Sequence, residues 1–339
     1  MPEHPDISEL SDEQLLELRF CELGLSIDGT WLEQCIAKLD RELAERGIQF
    51  RPAFYLADEW LCPDGEPIVG IAFYLAHPRL MRLEMTMMLE VEGGDEHACM
   101  KLLRHETGHA LNYAYLLHRR RRWRELFGSF TEEYVDVYRY RPYSKRFVRN
   151  LDECYAQCHP DEDFAETFAV WLDPQSDWRE AYAGWPALEK LKYVEKLVRS
   201  ITAKPPVNPK GKRHWDVSRM RSTLRRHYKQ KRAFYAEYYP DFHDAHLKRI
   251  FDDNASDQVR IRAYVFLRRY RRRILDEVAR STRERKYVTD RLLRDLIARS
   301  KELGLWRTPN EQDDILKITA YVTACTANYL HTGQFGAER

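Results

Sequence analysis

His105-Glu106-Thr107-Gly108-His109 is the stretch on which the reading of this chain turns. Positions i and i+4 of an α-helix share a face, so imidazoles at 105 and 109 can both reach one metal ion. Glu106 falls beside them, placed to take a proton from a water that the metal activates. Two ring nitrogens and a carboxylate base make up the H-E-x-x-H pattern of zinc hydrolases.

The flanks of the pentapeptide predict a helix. Ala98 to Leu117 is rich in good helix formers and holds no proline. Apolar residues at 99, 102, 103, 110, 111 and 114 recur at helical spacing and can face a core. Glycine costs about 1 kcal/mol against alanine inside a helix, so Gly108 implies that another backbone passes close by. The competing reading is a pair of surface histidines that happen to be four apart.

Toward the N-terminus, helices are expected over Asp12 to Phe20 and Thr30 to Arg46. Three apolar runs, Phe50 to Leu56, Ile68 to Leu75 and Leu83 to Val91, read as short strands. Cys62-Pro63-Asp64-Gly65 between the first two is a turn signal. A small sheet thus precedes the histidine helix, the usual order in zinc peptidases, where an edge strand binds the substrate backbone by strand addition.

Catalytic zinc needs a third protein ligand, with a fourth position left to water. A further histidine six residues beyond His109 would mark the metzincin type, but Tyr115 stands there, which excludes that class. The other source is a carboxylate from a later helix. His159-Pro-Asp-Glu-Asp-Phe-Ala-Glu-Thr-Phe-Ala-Val-Trp-Leu-Asp173 has proline suited to a first helical turn, an acidic cluster that complements the helix dipole, and an apolar stripe at 164, 165, 168, 169 and 172. Glu162 and Glu166 lie one turn apart on one face, and spacing does not choose between them. The dipole accounts for Asp161 to Asp163 but not for Glu166, a mid-helix carboxylate that needs a partner if it is buried.

Arg104-His-Glu-Thr-Gly-His-Ala110, together with Tyr155-Ala-Gln-Cys-His-Pro-Asp-Glu-Asp-Phe-Ala-Glu-Thr-Phe-Ala-Val-Trp-Leu172, resembles the bacterial "putative zinc-binding metallopeptidases" over about residues 10 to 200. More distantly, Glu162-Asp-Phe-Ala-Glu166 is similar to the Glu-x-Phe-Ala-Glu segment of the anthrax lethal factor and Pro-Pro endopeptidase type of gluzincin. The resemblance implies that Glu162 is the third zinc ligand and that Glu166 supports the site from behind. It also implies that Tyr155, seven residues before the ligand, aids catalysis. Outside these motifs the likeness to the toxin enzymes is slight, so their substrate preferences do not carry over.

The whole chain bounds this reading. Its 339 residues are enough for two domains. No run of 18 apolar residues predicts a membrane span, and the acidic, proline-bearing N-terminus is unlike a signal peptide. Seven cysteines without a C-x-x-C pair fit reduced thiols in a cytoplasm. The net charge of +1 is unevenly spread: residues 1–204 hold 25 Lys and Arg against 37 Asp and Glu, a balance of −12, and residues 205–339 hold 30 against 17, a balance of +13. The sign changes at the proline-rich stretch Lys204 to Arg213.

These readings imply an α+β fold: a zincin-like metallopeptidase domain over 1–204 with a small sheet and an active-site helix, then a basic, mostly α-helical domain over 205–339. The expected function is a cytoplasmic peptidase acting on a peptide or protein, with one Zn2+ held by His105, His109 and Glu162 and with Glu106 as general base. Tyr155 would donate to the developing oxyanion, and Glu166 would orient a histidine or serve as the alternative ligand. A second reading comes from the C-terminal half, where arginine runs such as Arg268 to Arg273 are interleaved with Tyr235, Tyr238, Tyr239, Tyr264 and Tyr270: binding of nucleic acid or an acidic protein, with a non-catalytic zinc site.

Overall fold

Ser11 and Gln14 start the first helix by capping each other. Gln14 N–H donates to Ser11 Oγ at 3.3 Å, and Ser11 N–H donates to Gln14 Oε1 at 2.9 Å. The computed structural model describes residues 5–88, 90–134, 141, 144–151, 154–202, 204–234, 243–255 and 261–332; Tyr235, Tyr238 and Tyr239 lie outside these. The chain divides into two compact units, one chiefly of residues up to Lys229 and one chiefly of residues from Gln230 onward.

In the first unit, α2 (Trp31–Glu45) occupies its expected place, whereas α1 (Asp12–Glu17) stops short of the expected Phe20 because the backbone turns extended at Leu18. Leu32, Leu39 and Leu43 of α2 recur at helical spacing and are buried. β1 (Ala53–Ala57) and β2 (Ile68–Ala72) pair in parallel, from Ala53 opposite Ile68 to Ala57 opposite Ala72. The turn at Cys62 to Gly65 closes with Glu66 N–H on the Pro63 carbonyl at 2.9 Å. Leu61, just before it, folds back and exchanges two main-chain bonds with Gly70. β2 is buried along its length, as an uninterrupted apolar strand must be.

The third expected strand is instead a helix. Leu83 to Met88 belongs to α3 (Pro78–Met88). Proline opens it without losing a needed donor, and its Leu, Met, Arg and Glu are straight-chain helix formers with no β-branched residue but Thr86. Leu80, Leu83, Glu84 and Met88 turn inward at helical intervals. A run of apolar residues had masked that period.

α4 (Glu96–Tyr115) is capped by Asp95, whose carboxylate accepts from Ala98 N–H at 2.8 Å. It runs through the middle of the unit: from Cys99 to Tyr115 only Lys101 escapes burial. After α5 (Arg121–Phe127) comes α6 (Pro160–Leu172), buried at every position and packed along α4. α7 (Trp178–Ala181) and α8 (Ala187–Ile201) follow, α8 covering α6.

The segment from 205 to 229 groups with this first unit. Tyr55 hydroxyl donates to the His214 carbonyl at 2.9 Å, Val217 N–H bonds the Leu56 carbonyl at 3.1 Å, and Leu224 N–H bonds Leu18 at 3.0 Å. The charge reversal at Lys204 and the division at Lys229 therefore fall at different places. α9 (Leu224–Phe234) spans that division.

The second unit is helical. α10 (Asp244–Ile250), α11 (Ala263–Thr282), α12 (Lys286–Glu302) and α13 (Glu311–Thr332) surround a core that includes Leu247, Phe266, Leu292, Leu296, Ile318 and Val322. The architecture is thus α+β with a helical C-terminal region. No helix among the described residues is long and apolar enough to cross a membrane.

Candidate metal centre

His105 and His109 project from one face of α4 toward α6, as their spacing requires. Their Nε2 atoms are 3.1 Å apart, and Glu162 Oε2 lies 3.0 Å from the first and 3.1 Å from the second. All three residues are buried and form a candidate metal site. The edges of this triangle are close to the separation of about 3.3 Å expected between ligands 2.0–2.1 Å from tetrahedral zinc.

The outer nitrogen of each ring is held by a carboxylate of α6. His105 Nδ1 meets Glu166 Oε1 at 2.8 Å, and His109 Nδ1 meets Asp161 Oδ2 at 2.8 Å. A ring whose Nδ1–H donates to a carboxylate presents a lone pair at Nε2, the tautomer a metal ligand needs. Both carboxylates are fixed in turn. Asp161 accepts from Asn112 Nδ2 at 2.6 Å and from the Tyr113 hydroxyl at 2.5 Å. Glu166 accepts from Asn150 Nδ2 at 2.9 Å and from the N–H groups of Asn150 and Leu151 at 3.3 and 2.8 Å.

Electrostatics match a cation site. Burial opposes charge on His105, but its hydrogen bonds to the carboxylates of Glu162 and Glu166 outweigh this and raise its pKa to about 10. Burial likewise opposes charge on His109, yet the carboxylates of Glu162 and Asp161 hold its pKa well above the usual value. For Glu162 burial works upward, and the two histidines overcome it and pull the carboxyl far below its ordinary range. Four buried carboxylates, those of Glu106, Asp161, Glu162 and Glu166, surround two rings, so the pocket attracts positive charge. The donor set, two imidazoles and a carboxylate, is that of a zinc site, and its residues fit the ion.

Glu106 is buried on α4 beside the ring pair. Burial chiefly raises its pKa, with Glu162 and Glu92 adding to the rise and the two histidines opposing it. Tyr155 opens a short 3-10 turn, Tyr155–Gln157, which follows Cys154 at φ 53°. Its ring centroid is 5.8 Å from that of His105, so the turn delivers it to the same site. His159 caps α6, its Nδ1 accepting Asp161 N–H at 3.1 Å, and is not among the three donors that converge. His118 lies beyond the site, stacked on Phe130 with centroids 4.1 Å apart.

Residues 97–197 match the family described as "Putative zinc-binding metallo-peptidase". The match begins near the start of α4 and ends within α8, so it contains both helices of the triangle and the turn that carries Tyr155. Comparison with curated proteins finds no match, and neither does comparison with solved structures.

Sequence reasoning passed over two groups at this site. Asp161 looks like any first-turn acid, and nothing in its spacing marks it as the partner of His109. Tyr134, whose hydroxyl reaches Glu162, comes from a loop 28 residues away with no motif of its own.

Proposed function

We propose that this chain is a zinc-dependent peptidase that hydrolyses peptide bonds in the interior of a cell, with one ion held by His105, His109 and Glu162. The observation that carries the proposal is the convergence of three buried lone-pair donors, His105, His109 and Glu162, beside a further buried carboxylate, Glu106, on the helix of the two histidines. Zinc, when bound, supplies Lewis acidity that polarises the scissile carbonyl and lowers the pKa of water toward about 7. Glu106 takes the proton of the attacking water and hands it to the leaving amine; its upward-shifted pKa suits a group that must do both. Tyr155, beside His105, donates to the oxyanion, where charge appears only in the transition state. Glu166 and Asp161 keep the two rings turned correctly.

The edge that would receive the substrate backbone is the stretch around Leu61. Leu61 spends both main-chain groups on Gly70, so those of its neighbours Trp60 and Cys62 point the other way, and neither residue enters a main-chain hydrogen bond among the described residues. Cys62 borders the site: burial, then the charges of Glu106, Asp161 and Glu162, push its thiol pKa up. An extended peptide adding there would run past the metal-binding side chains.

The test is digestion of a peptide library by the zinc-loaded protein, read by mass spectrometry beside Glu106→Gln. Cleavage by the wild type and none by Glu106→Gln, with zinc content equal, is the expected result. A fully active Glu106→Gln protein refutes the assigned base, and no cleavage by either refutes the peptidase.

One observation favours a second activity. Arg268, Arg269, Arg272 and Arg273 lie exposed along one face of α11, the pattern of a phosphate-contacting helix. Tyr264 and Tyr270, however, pack against the core instead of standing clear for base stacking. Retention of the full chain on duplex DNA or RNA, lost steeply with salt, would establish this reading; indifference to both polymers removes it.

A further inference from the structure

Glu162 divides its oxygens between two directions. Oε2 faces the Nε2 atoms of both histidines, whereas Oε1 points away and accepts a hydrogen bond from the Tyr134 hydroxyl at 3.1 Å. Tyr134 is no core residue. It is 55% exposed, so its ring meets solvent while its hydroxyl reaches a buried carboxylate.

The ring is held by the cap of α6. It lies flat on His159, with centroids 3.8 Å apart and planes 18° apart. His159 Nδ1 accepts Asp161 N–H, which leaves the proton on Nε2, and Nε2–H donates to the Glu132 carbonyl at 2.9 Å. One imidazole thereby caps the helix that carries Asp161, Glu162 and Glu166 and pins the loop that carries Tyr134. The reach of the hydroxyl is set by the same helix whose carboxylate it touches.

We infer that Tyr134 is a positioning residue for the metal: by holding Oε1, it makes Glu162 offer a single oxygen to a bound cation. The inference rests on the metal site proposed above. An unrestrained carboxylate can rotate or bind through both oxygens, and the second oxygen would fill the coordination place that a hydrolase leaves open. A hydrogen bond to the outer oxygen removes that alternative, and outer bonds of this kind change metal affinity by about 10–100-fold. None of the other partners of Glu162 among the described residues does this, since both histidines engage Oε2.

Tyr134→Phe keeps the ring on His159 and deletes only the hydroxyl. Two readouts apply: zinc affinity by competition with a chelator, and the visible absorption of the Co2+-loaded protein, whose intensity falls as coordination number rises. The expected outcome is zinc binding weaker by about tenfold, a weaker cobalt band, and an unchanged melting temperature of the metal-free protein. Affinity and spectrum like wild type overturn the inference. So does a lower melting temperature with an unaltered cobalt band, because the hydroxyl would then serve the loop alone. His105→Ala separates the two levels: if it and the wild type take up zinc alike, the metal site itself is wrong, whatever Tyr134→Phe does.

Discussion

Gly108 of α4 faces Ala165 of α6 with no room for a side chain between them. A Cβ placed on Gly108 would lie 2.9 Å from Ala165 Cα and 3.2 Å from its carbonyl oxygen. The close crossing sits between His105 and His109 on one helix and Glu162 and Glu166 on the other, so it sets the depth at which the two sets of donors meet. Gly108→Ala would gain about 1 kcal/mol of helix propensity and incur about 1–3 kcal/mol of overpacking against backbone that cannot swing aside. The expected result is a lower urea midpoint together with looser zinc binding. A stabilised variant with normal zinc affinity would show that the crossing has slack.

Asp161 and Glu166 act on different rings, His109 and His105, and each should be needed separately. Asp161→Asn and Glu166→Gln are each expected to lower zinc affinity by about 10–100-fold while the fold survives. Metal content after dialysis against graded chelator measures this. Full retention in either variant would mean that its histidine is oriented without it.

Arg104, immediately before the first histidine, is buried against a buried partner. Its guanidinium grips both oxygens of Glu42 on α2 at 2.8 Å and reaches Asp173 at the end of α6 at 3.1 Å. Removing one member of a buried pair leaves an uncompensated charge, which costs about 3–5 kcal/mol. Arg104→Leu should therefore lose that much in chemical denaturation, and Arg104→Leu with Glu42→Leu should recover a large part of it. Equal losses in the single and double variants would place the cost in packing instead of charge.

In the second unit, His243 precedes the first turn of α10, is buried, and lies with Nδ1 2.7 Å from the Tyr321 hydroxyl. Burial, helped by nearby His246 and opposed by Asp244, lowers its pKa to about 4. The unfolded chain, near the ordinary value of about 6.5, binds the proton first. The contribution of neutral His243 is therefore complete above pH 6.5 and is lost as pH falls toward 4. The drop in melting temperature between pH 7 and pH 4.5 should be smaller in His243→Gln than in the wild type. Equal drops would exclude this histidine as an acid-sensitive point.

Much of the first unit was legible from local pattern. α2 and α4 follow from a 3.6-residue apolar period, and α6 from Pro160 and the stripe at Phe164, Ala165, Phe168 and Ala169. The failure at Leu83 to Val91 has a local cause: a short apolar run reads the same for a strand and a buried helix turn, and here Pro78 and straight-chain residues favoured the helix. The segment from 205 to 229 was unreadable for another reason. Its attachment to the first unit uses main-chain bonds such as Val217 to Leu56, Cys21 to Met220 and Leu224 to Leu18, with side-chain contacts such as the Tyr55 hydroxyl on the His214 carbonyl and Arg225 on Glu13 and Glu17, and such long-range pairing leaves no mark in composition.

By itself the amino-acid order determined that His105 and His109 share a helix face, that Glu106 accompanies them, and that a carboxylate-bearing helix follows, because helical periodicity is a property of the local chain. Only the tertiary structure decided that Glu162 meets the inner nitrogens while Glu166 and Asp161 take the outer ones, and that Tyr134 arrives from a distant loop. Those choices depend on how α6 is rotated against α4 about the Gly108–Ala165 crossing, and rotation between packed helices is set by the shape of the whole interface, which no single motif encodes.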